Sequence, residues 1–275
     1  MEQRAKQYVA DVWWTGASVL LTRDLRAIDA LKPFTPPVTA WEPGIWRERG
    51  IDGFVDQRDA LTITNSVGGL IVVNTTLVKP EEYPKSFKDL LDPRWKGKIV
   101  MMDPAVPGGG AYIFGLLKRE YGLTYWEKMK EQNLTVIRDY SQVGRYVAIG
   151  EAHAALGLSP IHIMAYLLAG APIKLSPAIE GGYISNILVS FINNAPHPNT
   201  AKVLINWMLT KEGQEPIAFY TGNVSVRKDV EYKPHPQVAE WFKSQPKFLT
   251  MDFKVTEEFD ADVADGTARK VLGLK

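Results

Sequence analysis

DLLDPRWKGKIVMMDPAVPGGGAYIF, from Asp89 to Phe114, sets the local architecture from which the rest of the chain can be read. Lys88 to Leu91 closes a short amphipathic segment. Asp92-Pro93 stops it, because a residue ahead of proline is driven out of the helical region. Lys98 to Met102 is a short, mostly apolar run suited to a buried strand. Pro104 and Pro107 punctuate, and Gly108, Gly109 and Gly110 follow. From Ala111 the pattern turns helical through Tyr112, Phe114, Leu117 and Tyr121. A strand therefore runs into a glycine turn and then a helix N-terminus. Unpaired backbone N–H groups and the positive end of the helix dipole meet there, an environment suited to an oxygen-rich or anionic ligand. A plain tight turn would use the same glycines, so this stretch alone leaves both readings open. It is not a P-loop, since no Gly-Lys-Ser/Thr follows, and the glycines lack the dinucleotide-binding GxGxxG spacing.

The whole chain narrows the classes. Its 275 residues allow one large or two small domains, and its 45% hydrophobic and 23% charged composition is that of a globular protein. A net charge of +1, from 32 basic and 31 acidic residues, gives no electrostatic footprint for nucleic acid. No run approaches the roughly 18 to 20 apolar residues that span a bilayer. Cysteine is absent, which removes disulfides, thiolate metal sites and a cysteine nucleophile. Met1 to Gln7 is polar and charged with no apolar segment behind it, so it does not read as a signal peptide.

Taken in order, Met1 to Tyr8 reads as the last turns of a helix and Val9 to Trp14 as a strand ending in Thr15-Gly16-Ala17-Ser18. Small hydroxyl residues and glycine beyond a strand end suit either a ligand-contacting loop or a helix cap. A helix is expected from Ser18 to Leu31, then a proline-rich loop from Pro33 to Gly53. Ala60 to Thr64 alternates like a strand, and Gly68 to Asn74 is a stronger, fully buried one. After the glycine turn, helices are expected over Tyr112–Tyr121, Tyr125–Gln132 and from Ser141 to Ile149, with strands at Thr135–Ile137 and Ala152–Leu158. Ser159-Pro160 opens another helix, with serine as cap and proline at the first position. Ser185 to Ile192 is a second long buried strand, Asn199 to Leu209 an amphipathic helix, and Pro234 to Lys275 a polar tail packing on an existing surface. Strands alternate with helices, so the class is α/β. The two long strands bracket about 110 residues with their own βα units. The simplest topology is two-lobed: residues 1–74 begin the first lobe, 75–184 form the second, and 185–275 return to complete the first. The bracketing strands would cross between lobes as a hinge.

That topology, together with ADVWWTG (Ala10–Gly16), DLLDPRWKGKI (Asp89–Ile99), Asp103-Pro104 with its glycines, Gly170-Ala171-Pro172-Ile173, and APHPNTAK (Ala195–Lys202) with Glu212-Gly213-Gln214, resembles the extracellular solute-binding proteins of ABC importers, in the cluster that includes ferric-iron binders. The resemblance covers roughly residues 1 to 220. It implies a type II periplasmic-binding-protein-like fold, a small-molecule solute, delivery to a membrane permease and its ATPase, a periplasmic or extracellular setting, a monomer, and no enzymatic activity. Two departures stand out. The family usually begins with a signal peptide and a strand–helix–strand unit ahead of the Ala-Asp-Val strand. Here Met1 falls in the helix just before that strand, so the first lobe is expected to be N-terminally truncated. Iron binders also carry adjacent tyrosines where this chain reads Gly157-Leu158-Ser159-Pro160-Ile161-His162, which argues against Fe(III).

The remaining chemistry is sparse. The four histidines, His153, His162, His197 and His235, lack metal-ligand spacing, and no GxSxG nucleophile elbow occurs. Glu127 and Glu131 sit one turn apart on a solvated face. No metal and no cofactor are expected. If the lobes close as the resemblance implies, the first supplies Trp14, Thr15 and Gly16, with Asn65 and Ser66 nearby. The second supplies Gly108, Gly109, Gly110, Tyr112, Ser141, Gln142, Ser159, Glu180 and Gly181. These are backbone N–H groups, hydroxyls and an amide, suited to holding an oxygen-rich or anionic solute between lobes. The alternatives are a ferric-iron binder, or a ligand-sensing or catalytic α/β protein on the same fold.

Overall fold

The computed structural model describes residues 9–16, 18–42, 44–47 and 60–274. The helix end expected over 1–8 and much of the proline-rich loop lie outside these. β1 (Val12–Gly16) and α1 (Val19–Ala27) lead to β2 (Leu31–Lys32) and α2 (Pro37–Trp41). β3 (Leu61–Gly68) and β4 (Leu70–Asn74) follow end to end. After three 3-10 turns come β5 (Ile99–Met102), α3 (Gly109–Tyr121), α4 (Leu123–Glu131), β6 (Thr135–Ile137), α5 (Tyr140–Ala148), β7 (Ala154–Leu158), α6 (Met164–Leu168) and β8 (Ile173–Ser176). β9 (Gly182–Ile192), α7 (Pro198–Leu209), α8 (Lys211–Thr221), β10 (Val224–Ser225), α9 (Pro236–Ser244), β11 (Phe248–Thr250), α10 (Phe253–Ala264) and α11 (Thr267–Leu272) complete the chain. The strand, glycine turn and helix expected over residues 98–121 are thus β5 and α3.

The strands form two sheets. In the first, β9 is central: β1, β2 and β3 pair with it antiparallel, β11 parallel, and β10 lies outside β3. The second runs β6-β5-β7-β4-β8, with β5 parallel to β6 and β7, and β4 antiparallel to both neighbours. Side chains alternate across a strand, and each face of the second sheet has its own core. Ile71, Val73, Ile99, Met101 and Leu156 meet α3 and α4, while Leu70, Val72, Val100, Met102 and Leu158 meet α5 and α6. Burial on both faces explains why β4 and β5 read as continuous apolar runs. Each fully buried Ile, Val, Leu or Met contributes roughly 1.5–3 kcal/mol.

Three expectations change. The strand expected over Gly68–Asn74 divides at Gly69, whose φ of 86° belongs to the left-handed region that glycine enters without steric cost. Residues before it stay in the first sheet and those after enter the second, so the crossing is a single bent residue rather than a strand. β9 begins three residues before Ser185, at Gly182, and all of its pairing is within the first sheet. The chain therefore returns ahead of β9. The two passages touch: a Cβ at Gly69 would lie 3.3 Å from Gly182 Cα, and one at Gly182 would meet the Gly68 carbonyl. Finally, the tail expected to complete the first lobe joins the first sheet through β11 and buries Val238, Trp241, Met251, Phe259, Ala268 and Leu272 in the cores of the second sheet. Its polar sequence concealed a scattered set of apolar anchors.

Candidate functional site

A cleft of about 450 Å³ lies between the two sheets. From the first sheet it receives Trp14, Thr15 and Gly16 at the end of β1, Ser66 of β3, and Tyr183, Ser185 and Ile187 of β9. Across from them stand Pro107, Gly108, Gly109 and Tyr112 at the start of α3, with Tyr140 from α5 and Ser159, Ile161 and His162 after β7. Ser18 adds a further hydroxyl. None of these side chains is a carboxylate, an ammonium or a guanidinium.

The wall at α3 is built by local constraint. Gly108 has φ 126° and serves as N-cap without a side chain to accept the first N–H groups. A Cβ there would strike the Tyr140 hydroxyl, so a larger residue is barred by both backbone and space. Tyr140 donates to the Pro107 carbonyl at 3.3 Å. Burial raises the pKa of this phenol and keeps it neutral beside the helix start. Asp103, which follows β5, accepts from Ala105 N–H at 2.8 Å and from Arg138 at 3.0 Å, and so fixes the turn ahead of the glycines.

Ser159 and His162 form a second fixed pair. The Ser159 N–H donates to His162 Nδ1 at 3.0 Å, so the proton of a neutral ring sits on Nε2. Burial pushes this imidazole down to about 4, which keeps it neutral near pH 7. The Tyr140 ring packs on it with centroids 5.1 Å apart. Tyr112 and Tyr183 meet edge to face at 5.5 Å and 88°. Both phenols are held un-ionised, chiefly by burial, with a further upward push on Tyr112 from the Asp260 carboxylate.

Of the residues singled out from sequence, Trp14, Thr15, Gly16, Gly108, Gly109, Tyr112 and Ser159 come together in this cleft. Five do not line it. Gly110 is inside the first turn of α3, pressed on the Asp103 carbonyl. Ser141 spends its hydroxyl on Asp139, the N-cap of α5, at 2.6 Å, and Gln142 lies beside it, half-buried. Glu180 is buried and accepts from Ser86 Oγ at 2.6 Å, from Phe87 N–H at 2.9 Å and from the Tyr121 hydroxyl. Gly181, at φ 84°, packs against the Lys247 carbonyl. Asn65 likewise turns away, its amide bonded to Asn186 at 2.7 Å, whereas neighbouring Ser66 faces the cleft. Sequence reading missed Tyr140, His162, Tyr183 and Ser185. Tyr140 adjoins Ser141 and His162 lies one 3-10 turn after Ser159, and helical phase decides which of them faces the cleft. Tyr183 arrives through the pairing of β9, which no local pattern reveals.

Among the described residues, no group of three His, Cys, Asp or Glu side chains is placed to hold a metal ion, and no helix is long and apolar enough to cross a membrane. Comparison with known proteins gives the following. A Haemophilus influenzae protein of uncharacterized function is 29% identical over 226 residues, covering 75% of this chain and 60% of its own length. A Salmonella typhimurium protein, described as a candidate 2-aminoethylphosphonate-binding periplasmic protein, is 26% identical over 171 residues, covering 58% of this chain and 49% of its own. The chain thus spans only about half to three-fifths of the length of these relatives. Among solved structures, the periplasmic binding protein AfuA from Actinobacillus pleuropneumoniae, with fructose-6-phosphate bound, superposes with a TM-score of 0.74 at 20% identity, over 97% of this chain and 83% of the other. That likeness establishes the two-sheet α/β fold as that of periplasmic binding proteins. The profile of the family described as "Bacterial extracellular solute-binding protein" matches residues 43–256, well over half of the sequence, and the chain belongs to that family.

Proposed function

We propose that the protein captures a small solute bearing a phosphonate, phosphate or similar oxyanion in this cleft and passes it to the membrane permease of an ABC importer with its ATPase, on the outer side of the cytoplasmic membrane. No bond is made or broken in this role. The cleft-facing start of α3 carries the reading: a helix N-terminus with no side-chain cap, in a cavity without a charged side chain. Such a terminus favours a nearby anion by roughly 0.3–1 kcal/mol when exposed and up to about 2 when partly buried. Hydroxyls of Thr15, Ser66, Ser159 and Ser185 and the Nε2–H of His162 surround the space with further hydrogen-bonding groups. Together they are compatible with roughly micromolar affinity, near 8 kcal/mol. The half-exposed Trp14 at the rim offers a ring face to the rest of the solute.

Two of the similar proteins support this choice of ligand. One is named for a phosphonate and the other structure holds a sugar phosphate. Fe(III) fits less well, because the phenols in the cleft are held protonated and no lining carboxylate joins them. The two sheets act as lobes, one starting with residues 1–74 and the other centred on 75–184, and closure turns on the contact of Gly69 with Gly182. The protein works as a monomer. Titration calorimetry and thermal melting with 2-aminoethylphosphonate, fructose 6-phosphate and inorganic phosphate test the reading. Saturation at 100 times Kd adds about 2.7 kcal/mol of stability. Absence of both heat and a melting shift with all three probes would overturn it.

A further inference from the structure

Two phenols that line the cleft carry buried hydroxyls without a partner. Tyr112 and Tyr183 are 2% and 1% exposed, both line the cavity, and neither hydroxyl meets a hydrogen-bond partner. Tyr183 has the Ser159 side chain beside it and Tyr112 has Thr256, but not at hydrogen-bonding geometry. A buried hydroxyl left unpaired forfeits the hydrogen bonds it made to water, so two of them in one place require a reason. Their position supplies one. A Cβ at Gly109 would stand 3.1 Å from the Tyr183 hydroxyl, which places that hydroxyl at the first turn of α3. The Tyr183 ring lies over Gly68, where any side chain would collide with it, and it also meets the edge of Tyr112. Both rings are therefore clamped, and their hydroxyls are held in place before any ligand arrives. Preorganised donors in a site shielded from water bind an anion with little ordering cost.

We propose that Tyr183 and Tyr112 are the ligand-reading donors of the cleft, their paired hydroxyls binding the oxygens of a phosphonate or phosphate monoester seated at the first turn of α3. This rests on the function proposed above and adds the residues that select the ligand. An oxyanion satisfies both orphan hydroxyls at once. An apolar or purely cationic solute leaves them unpaired, and so is rejected.

Calorimetry with 2-aminoethylphosphonate and with fructose 6-phosphate, on the full chain and on Tyr183→Phe, Tyr112→Phe and Tyr166→Phe, tests this. Tyr166 lies outside the cleft and controls for loss of a phenol elsewhere. The expected result is a fall in affinity of about tenfold or more for Tyr183→Phe and Tyr112→Phe, for whichever probe the parent binds, and no change for Tyr166→Phe. Melting temperatures without ligand should be equal to or above that of the parent, because each variant removes an unsatisfied group. A parent that binds a probe while both cleft variants bind within twofold of it overturns the assignment of these residues and leaves the function standing. A clear melting loss in Tyr183→Phe without ligand overturns it as well, by showing that the hydroxyl serves the protein. A parent that binds neither probe overturns the proposed function and this inference together.

Discussion

The Ser18 hydroxyl donates to Asp260 Oδ2 at 2.9 Å, joining residues 242 positions apart in the chain. Ser18 stands between β1 and α1, and Asp260 is on α10, whose Phe259 ring packs on Gly115 of α3. The bond ties the end of a first-sheet strand to the helix that covers the second sheet. Both side chains are buried, so neither is readily compensated by water. Ser18→Ala and Asp260→Ala should each lower unfolding free energy by about 1–3 kcal/mol in urea. In a double-mutant cycle the pair should couple by about 1 kcal/mol or more. Additive losses would show that the contact carries no energy.

The packing of Tyr183 on Gly68 gives a second prediction. An added methyl at Gly68 falls within the Tyr183 ring, so Gly68→Ala forces the ring away or shifts the strand. Overpacking of this kind costs typically 1–3 kcal/mol. Truncating the ring should relieve it, and Gly68→Ala combined with Tyr183→Leu should lose less than the sum of the two single changes by thermal melting. A sum or worse would place the strain elsewhere.

These two contacts show what sequence could and could not reveal. The strand–turn–helix at Lys98–Tyr121 was legible because each piece is set by residues within a few positions. The apolar run fixes β5, and φ 126° at Gly108 demands glycine. The seven cleft residues found in advance all lie at ends of elements readable in this local way. Tyr183, Gly68 and Ser18 differ: their roles come from partners brought in by sheet pairing and by the tail. The packing of the tail on the second sheet was hidden because Trp241, Met251 and Phe259 are single apolar anchors in polar surroundings, with no period to reveal their target, while β11 of the same tail joins β9 of the first sheet. Glu180 shows the converse: a charged residue beside a glycine turn reads as functional from sequence, yet its carboxylate is buried outside the cleft, accepting from Ser86 and the Phe87 N–H.

His162 predicts how stability depends on pH. Its imidazole is pushed down to about 4 by burial, against an ordinary value of about 6.5. The folded protein therefore binds fewer protons than the unfolded chain between those values, and stability rises with pH across that window. The contribution is complete above about pH 6.5, is lost as pH falls, and levels off below about 4. The size is at most about 3 kcal/mol, reduced by whatever solvent screens at the cleft mouth. Protonation also takes Nδ1 away from the Ser159 N–H. His162→Asn keeps an acceptor near Nδ1 but cannot titrate, so urea unfolding from pH 4 to 7.5 should show a flatter profile than the parent. His153 and His235 remain in both proteins and cancel in the difference. Parallel profiles would mean that His162 charges without cost in the fold.

Glu180 separates structural from ligand-binding roles. One carboxylate oxygen accepts from Ser86, from the Phe87 N–H and from Tyr121, and so joins the start of the 3-10 turn at Phe87–Leu91 to the end of α3. The Tyr121 phenol is pushed up by burial and by this carboxylate, which holds it as a donor. Glu180→Ala would leave three donors without their acceptor, two of them from the buried residues Ser86 and Phe87. Hydrogen bonds to a charged group are worth roughly 1.5–3 kcal/mol each, and their losses overlap, so a fall of about 3 kcal/mol or more is expected. Because Glu180 does not line the cleft, the folded fraction of Glu180→Ala should bind 2-aminoethylphosphonate or fructose 6-phosphate with the affinity of the parent. Calorimetry at low temperature, where the variant stays folded, reads affinity apart from stability. A stable variant with weakened binding would return Glu180 to the site from which the geometry removes it.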